Sequence, residues 1–572
     1  MAVEDSDIME LLGELPVSNN KAVPVMSPPS SPGTSRELSI AGDAYNGASQ
    51  VSREMLQWSP AIRSADQDII PVKGTVDGRV RDSLRNDAYI AGAANLHRDN
   101  IVGSQFMLNS KPVTTVLFGK EDDVWEDEFQ EEVEEKFTLW AESPQNWIDA
   151  SRKNTLTGLV RLAVGIHVAR GEVLASAEWM RDGGSMRPYS TAIQLIDLDR
   201  LSTPPEFSGD TDVRGGVRVN KYGAPQGYYV RVNHPSEWSR PDSFKWKYMP
   251  RSLPWNRMQM LHIFDQHREA QTRGMSQMVS ALEEIHMTKN FRKMVLQNAV
   301  LNATYAASIE SDLPTEEIFA RLGGADLSSE TVSNAIQQYM GGHFKTIAEF
   351  MGGSKNLNVN GAKIPHLPPG TRLKLHGAGQ GGPLGTDFEE SLLRHIAASL
   401  DVSYEQLSRD YSKTNYSSAR AAMTESWKAL QSRKKSVADT FATHIYRLWL
   451  EEAINGGEIK SLPRRAPSWY EGQNADAYSA CEWIGASRGQ IDELKETQAA
   501  ALRIDRGLSS LEVEAARLGI DWRKLLRQLA REQEWKKFYG VLQDIDKSKD
   551  MMNAVTGEPR AVSEDTEESE GS

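Results

Sequence analysis

From Met275 to Leu313 the chain runs without a proline or a glycine. Nothing in that stretch stops a helix, and at about 1.5 Å per residue an unbroken one reaches roughly 55 Å, longer than a small domain is wide. Met275, Met278, Val279, Leu282 and Ile285 give it an apolar face only at its start, while Asn290, Gln297, Asn298 and Asn302 keep it polar further on. A rod of this kind needs neighbours along its length, so the spacing predicts an elongated subunit rather than one ordinary core.

A second long helix is predicted from about Ser417 to Ile454, where Met423, Trp427, Leu430, Val437, Phe441 and Leu448 fall at steps of three and four or their sum. Lys434 interrupts that seam, position 444 is a histidine, and Gly456-Gly457 supplies the stop. Such a seam packs on another helix and tolerates a kink near its polar break. Between the two long helices lie a glycine-rich lobe with the strand-like "TRLKLH" and a helix from Thr386 to Leu400. Ahead of them, Asp82 to Ser104 reads as a helix leading into the strand and turn of "NIVGSQFMLNSKP". Glu121 to Trp140 reads as a helix with Trp125, Phe129, Val133, Phe137 and Trp140 as its packed stripe and a solvated acidic face. "TAIQLIDLDRLSTP", "GYYVRVNHP" and "MQMLHIFD" mark residues 155 to 265 as mixed α and β. Residues 475 to 540 read as three helices. The fold class is mixed α+β, mainly α, with no fixed-period repeat.

At 572 residues and 39% hydrophobic content, the chain exceeds one compact core yet can bury several. The single Cys481 excludes an intrachain disulfide framework and a cysteine-based zinc site, and fits a reducing compartment. The start, with Glu4, Asp5 and Asp7, does not read as a secretory signal. Its most apolar stretch, Leu159 to Ala175, is broken by Arg161, His167, Arg170 and Glu172, so no membrane span is expected. Residues 1–49, with "PVMSPPSSPGTS", and the acidic tail 546–572, ending "VSEDTEESEGS", carry too little apolar surface to offset the entropy of ordering. A net charge of −14 argues against wrapping DNA, because nonspecific affinity comes from many cations neutralising phosphates.

Neither a GxxxxGK[ST] phosphate loop nor an HExxH pair occurs. His262 and His267 in "HIFDQH" are five apart, a poor spacing for converging metal ligands. Gly377, Gly379 and Gly382 match GxGxxG, but Pro383 occupies the turn and no second apolar strand ends in an acid at the required distance, so a connecting loop is expected there. No catalytic residue, metal or cofactor is expected.

Several segments together carry a family resemblance: "LRNDAYIAGAANLHRDNIVGSQFMLNSKP", "LWAESPQNWIDASRKNTLTGLVRLAV", "IQLIDLDRLSTP", "LHIFDQHREAQTRGMS", "LPPGTRLKL", "HIAASLDVSYEQLSRDYSKTNYSSARAA" and "GLSSLEVEAARLGIDWRKLLRQLAREQE". In this order, over about residues 80 to 540, the chain resembles the lambda-type portal proteins of tailed bacteriophages. The N-terminal arm, the acidic Glu121 to Glu135 stretch and the tails depart from the family. The resemblance implies a ring, usually dodecameric, at the capsid vertex of the virion, assembled in the host cytoplasm. Each subunit would comprise a wing (50–272), a stem helix (273–313), a clip (314–385), a second stem helix (386–400), a channel loop (401–417), a long kinked helix returning to the wing (418–474) and a helical crown (475–545). It implies partners too: further copies of the chain, a terminase large subunit that supplies the ATPase, a head-completion or neck adaptor protein, major capsid and scaffold proteins, and double-stranded DNA passing without sequence specificity. Another head or connector protein without a packaging channel is the alternative.

On that scheme the segment "DYSKTNYSSARAAMTESWKALQSRKKSVADTF" approaches the DNA. Asp410, Tyr411, Asn415, Tyr416, Ser417 and Ser418 form the channel loop, with Ser417 or Ser418 as N-cap. Lys413, Arg420, Lys428, Arg433, Lys434 and Lys435 are the candidate DNA-facing cations, with a solvated helix face pairing with Glu425 and Asp439 as the plainer role of the basic triple.

Overall fold

The computed structural model describes residues 57–180, 187–305, 357–359, 362–364, 386–489 and 492–540. The expectations for the N-terminal arm, most of 314–385, Gly377 to Gly382 and the acidic tail lie outside these residues.

The helix expected from Asp82 is two helices. α1 (Ala65–Asn86) starts in a capping box between Ser64 and Gln67, and α2 (Ala88–Ile101) restarts at once because the Asp87 carboxylate accepts the Tyr89 and Ile90 N–H groups. β1 (Met107–Ser110) follows, then α3 (Asp123–Ala141), whose Trp125, Phe129, Val133, Phe137 and Trp140 are all buried as the spacing predicts. α4 (Leu156–Arg170) runs from a Thr155 cap to Gly171, at φ 75°, and leads into β2 (Glu172–Trp179). β3 (Thr191–Leu195) comes next, followed by β4 (Val213–Arg214), β5 (Val217–Val219), β6 (Pro225–Arg231), β7 (Trp246–Pro250) and β8 (Met260–Phe264). One antiparallel sheet has the order β3-β2-β8, the other β4-β5-β6-β7. Leu174, Ile196, Leu201, Val217, Tyr228, Val230, Met249 and Met260 form a separate apolar cluster of these sheets.

The long rod begins with a tight turn, Gln277–Ala281, and continues as α5 (Leu282–Tyr305), with Met278 and Ile285 buried and Val279 exposed. β9 (Leu357–Val359) and β10 (Ala362–Ile364) form an antiparallel pair. α6 (Thr386–Ser399) precedes α7 (Tyr416–Arg433), which passes through a π-helical turn, Lys434–Asp439, into α8 (Thr440–Asn455). The break expected at Lys434 is thus a wider helical turn. Leu430, Val437, Phe441 and Leu448 of the seam are buried, whereas Trp427 is only half-buried.

The last region holds a short helix, Asn474–Tyr478, an unforeseen strand, β11 (Cys481–Ile484), and then the three expected helices, α9 (Glu493–Asp505), α10 (Leu511–Arg517) and α11 (Trp522–Phe538). β11 pairs with β1, Met107 opposite Ile484. Around this junction Phe137 packs at 5.2 to 6.1 Å against Tyr446, Trp449 and Trp483, and Phe106 stacks on Trp483 at 5.3 Å. Neither α9 nor α11 has a buried residue. Instead Arg523 pairs with Asp127 at 2.9 Å, Arg527 with Glu131, and Lys111 with Glu512 at 3.1 Å. The acidic face of α3, expected to be solvated, therefore carries the basic last helix.

At the centre of the fold is a buried carboxylate. Glu172 takes Arg273 Nη2 at 2.6 Å, Lys73 Nζ at 3.1 Å, His262 Nε2 at 3.0 Å and the Gly274 N–H at 2.8 Å. Burial alone would push Glu172 up, but Arg273 and Lys73 outweigh it and hold its carboxyl well below the usual range. His262, expected to ligate nothing, is pushed down by burial despite its bond to Glu172. The loop fits only because both approaches are glycine: a Cβ on Gly171 would stand 2.1 Å from the Met275 carbonyl oxygen, and one on Gly274 2.2 Å from that of Gly171. Glu172→Gln leaves the buried Arg273 without its anion and Lys73 with Asp77 alone, at 3.4 Å, and is expected to cost about 3–5 kcal/mol, read as a lower urea midpoint with the m-value unchanged.

Candidate nucleic-acid interface

The segment between α6 and α7 is built from short-range polar bonds. Ser403 and Gln406 cap one short helical turn, Tyr404–Ser408, which ends at Arg409 in the left-handed region, φ 60°. Asp410 Oδ1 accepts the Ser412 N–H at 2.9 Å, and Tyr411 beside it is exposed. Lys413 is exposed and reaches back to Glu390 of α6, Nζ to Oε1 2.5 Å, where Arg394 also pairs at 3.0 Å. The cap of α7 is Asn415, not Ser417 or Ser418. Its side chain accepts the Ser418 N–H at 2.8 Å while Ser418 Oγ accepts the Asn415 N–H at 3.2 Å, so Ser418 is the second half of a capping box. Tyr416 is the first residue of the helix, and Ser417 next to it is exposed.

Along α7 the side chains of Ser417, Arg420, Ala421, Thr424, Glu425 and Lys428 line one open groove. Steps of three and four put these residues on one helix face, and both cations are exposed. A further cation joins them that the sequence did not suggest. Arg488, just beyond β11, donates to Thr424 Oγ1 at 2.6 Å and is itself exposed. It follows β11, whose Trp483 carbonyl accepts from Lys434 just past α7, a long-range contact that no local pattern announces.

The basic triple divides. Arg433 is buried, with Nη1 2.9 Å from His97 Nδ1, Nη2 3.2 Å from Asp401 Oδ2, and a further bond to Gln277. Lys434 is buried as well, donating to Asp439 at 2.7 Å and to the Trp483 carbonyl at 2.8 Å, with its ammonium over the Phe106 ring. Lys435 alone is exposed. Arg433 and Lys434 are therefore not surface cations, and the expectation that they face DNA is corrected: Arg433 is spent on His97, Gln277 and Asp401, and Lys434 on buried Asp439 and the distant Trp483 carbonyl.

The family profile described as "Phage portal protein, lambda family" matches residues 51–434. The portal protein of Escherichia phage N15 and portal protein B of Escherichia phage lambda are each 35% identical to this chain over 497 residues, 87% of its length and 91% and 90% of theirs. The chain belongs to the lambda family of phage portal proteins. Among solved structures, the neck of an empty gene transfer agent particle is similar at 13% identity and a TM-score of 0.36, covering 82% of this chain and 99% of that one.

In this portal chain Arg433 closes a buried polar hub. A guanidinium can only donate, so His97 Nδ1 accepts from it, leaving Nε2 to carry the proton and donate to the Leu400 carbonyl at 3.0 Å. Burial, then Arg433, lowers His97 to about 3. His167 is lowered to about 4 by burial, with Asp265 at 3.6 Å only partly offsetting it. His167, Asp265, His267, Met275, Gln277 and Arg433 line a narrow crevice of about 10 Å³, too small for a ligand. His262 and His267 do not converge, His262 being spent on Glu172. Among the described residues one other cluster has ligand-like spacing, Asp197, Asp199 and His234. There Arg170 pairs with both carboxylates and Arg81 with Asp199 at 2.6 Å, so guanidinium groups already neutralise it.

Two outcomes are expected. Both folded-state histidine values lie below the ordinary 6.5, so the unfolded chain binds the extra protons. Their contribution is complete above pH 6.5 and is lost as pH falls from there towards 4, each histidine removing up to about 1.4 kcal/mol per pH unit. Urea midpoints across that window should flatten in His97→Gln. Lys434→Gln should cost roughly 3 kcal/mol by stranding buried Asp439, whereas Lys435→Gln should stay within about 0.5 kcal/mol, both read from chemical unfolding.

Proposed function

We propose that this chain forms the ring-shaped channel of a phage capsid vertex, a dodecamer by the family's usual number, through which double-stranded DNA is packaged and ejected. The observation that carries this is the sorting of charge in the Asp410 to Phe441 segment. Arg420 and Lys428 stay exposed on one face of α7, and Lys413 on the loop before it, while Arg433 and Lys434 are withdrawn into internal pairs. A conduit must not grip its cargo, since every neutralised phosphate adds affinity that translocation has to overcome. A chain of net charge −14 with a few exposed cations on one helix meets that need.

In this scheme residues 50–272 are the wing, α5 and α6 the stem, 314–385 the clip, 401–417 the channel loop, 418–474 the kinked helix and its return to the wing, and 475–545 the crown. Terminase and the neck adaptor dock on the clip, the capsid shell and scaffold proteins surround the ring, and the protein resides in the virion after assembly in the host cytoplasm. Absence of a phosphate loop leaves ATP hydrolysis to the terminase.

Replacing Arg420 and Lys428 by Ala should leave thermal stability and assembly nearly unchanged, since exposed charges contribute little to folding. The length or retention of packaged DNA should change. Normal filling and retention in particles carrying both substitutions together with Lys413→Ala would overturn the channel-facing assignment.

A further inference from the structure

α7 and α8 are one helix interrupted by a single π-helical turn, and that turn carries an ion pair at an unusual spacing. Lys434 and Asp439 are five residues apart, both buried, with Nζ 2.7 Å from Oδ1. In an α-helix, at about 100° per residue, positions five apart point roughly 140° away from each other. In a π-helix, where the hydrogen bonds run from i to i+5, they lie one above the other. The pair can therefore close only in the wider turn. Lys434 is fixed from outside as well, by the Trp483 carbonyl of β11 at 2.8 Å. The two flanks differ in freedom. α8 buries Phe441, Ala442, Ile445, Tyr446, Trp449 and Leu450 and so cannot rotate, whereas α7 ahead of Arg433 buries only Ser426 and Leu430 among its described side chains.

We propose that Lys434 and Asp439 are positioning residues that hold the π turn and thereby set the rotational phase of α7, a claim that builds on the channel reading because α7 carries Arg420 and Lys428. A π turn delays the helix by about one residue, so relaxation to α-helix would turn α7 by about 100° relative to α8. Each side chain of α7 would then take the azimuth now held by the residue before it. The exposed stripe would swing away, and the shielded azimuth of Ser426 would pass to Trp427 and that of Leu430 to Gln431. A buried ion pair used to fix a register is the best-attested role for such pairs.

The test reads helix phase without DNA, so its failure is separable from failure of the channel reading. In full-length Cys481→Ser protein, Ser426→Cys and Gln431→Cys are introduced singly and their reaction rates with a soluble maleimide are measured. In the parent, Ser426→Cys should be shielded and Gln431→Cys more reactive. With Lys434→Met and Asp439→Leu added, which removes both charges together, that order should reverse, a shift of one position. Deletion of Ser436 converts the turn to α-helix while keeping both flanks in phase and the pair at i,i+4, so it should preserve the parent order. An unchanged order in the folded double variant, or a lost order in the deletion, would overturn the proposal. If the double variant does not fold, the deletion decides alone.

Discussion

Glu172 sits where four stretches of chain converge: α1 through Lys73, β8 through His262, the Arg273-Gly274 turn, and the start of β2 itself. Lys73 also donates to the carbonyls of Arg170 and Gly274, at 3.1 and 2.8 Å, and Arg170 continues the network to Asp77. An ion buried to this extent pays a desolvation penalty of several kcal/mol and is tolerable only if every lone pair is met. Meeting them all fixes where the turn at Gly274 leaves the sheet, and with it the direction in which Met275 and the long rod set out. Much of the molecule depends on this constraint, since α6 packs against that rod and Arg433 of the hub bonds Gln277 at its base.

Charge is used twice in this protein, in opposite ways. Inside, cations join segments far apart in sequence: Lys434 ties the π turn to β11, and Arg433 ties it to α2 through His97 and to the residues after α6 through Asp401. Outside, a few cations on α7 are left in water, where a counter-ion or a phosphate can reach them. A π turn suits this division because it places consecutive charged residues at angles a regular helix does not offer. Consecutive Arg433 and Lys434 point to different partners, while Lys435 points to solvent.

What was legible in the sequence was whatever is written in short-range periodicity. The stripe of α3, the seam from Leu430 through Phe441 and the polar break at Lys434 follow from spacing alone, because helical packing repeats on a scale of three to four residues. What was hidden depended on distant partners. Asp87 splits a predicted helix because its carboxylate caps the second half, and Asn415 rather than a serine starts α7 because Ser418 answers it from the box position. The basic triple looked like surface because three adjacent cations usually are, and nothing local reveals Asp401, His97 or the Trp483 carbonyl waiting for two of them. Arg488 is hidden for the same reason, and β11 is too short to stand out between a turn and three helices.

The pairing of β1 with β11 has a kinetic consequence. Met107 meets Ile484 across most of the chain, so during synthesis β1 emerges long before its only described partner strand exists. At ordinary elongation rates of about 5–20 residues per second the wait is roughly twenty seconds to over a minute. Throughout that interval Leu108 has an unpaired strand edge, and Phe106 and Phe137 lack the Trp483 ring they pack against. An unpaired edge beside exposed aromatic rings is the form of nascent chain most prone to pair with a wrong neighbour. In a cell making many copies at once, this joint is the place where a holdase would have most to protect, and closing it is the step that turns an elongating chain into a subunit fit to assemble.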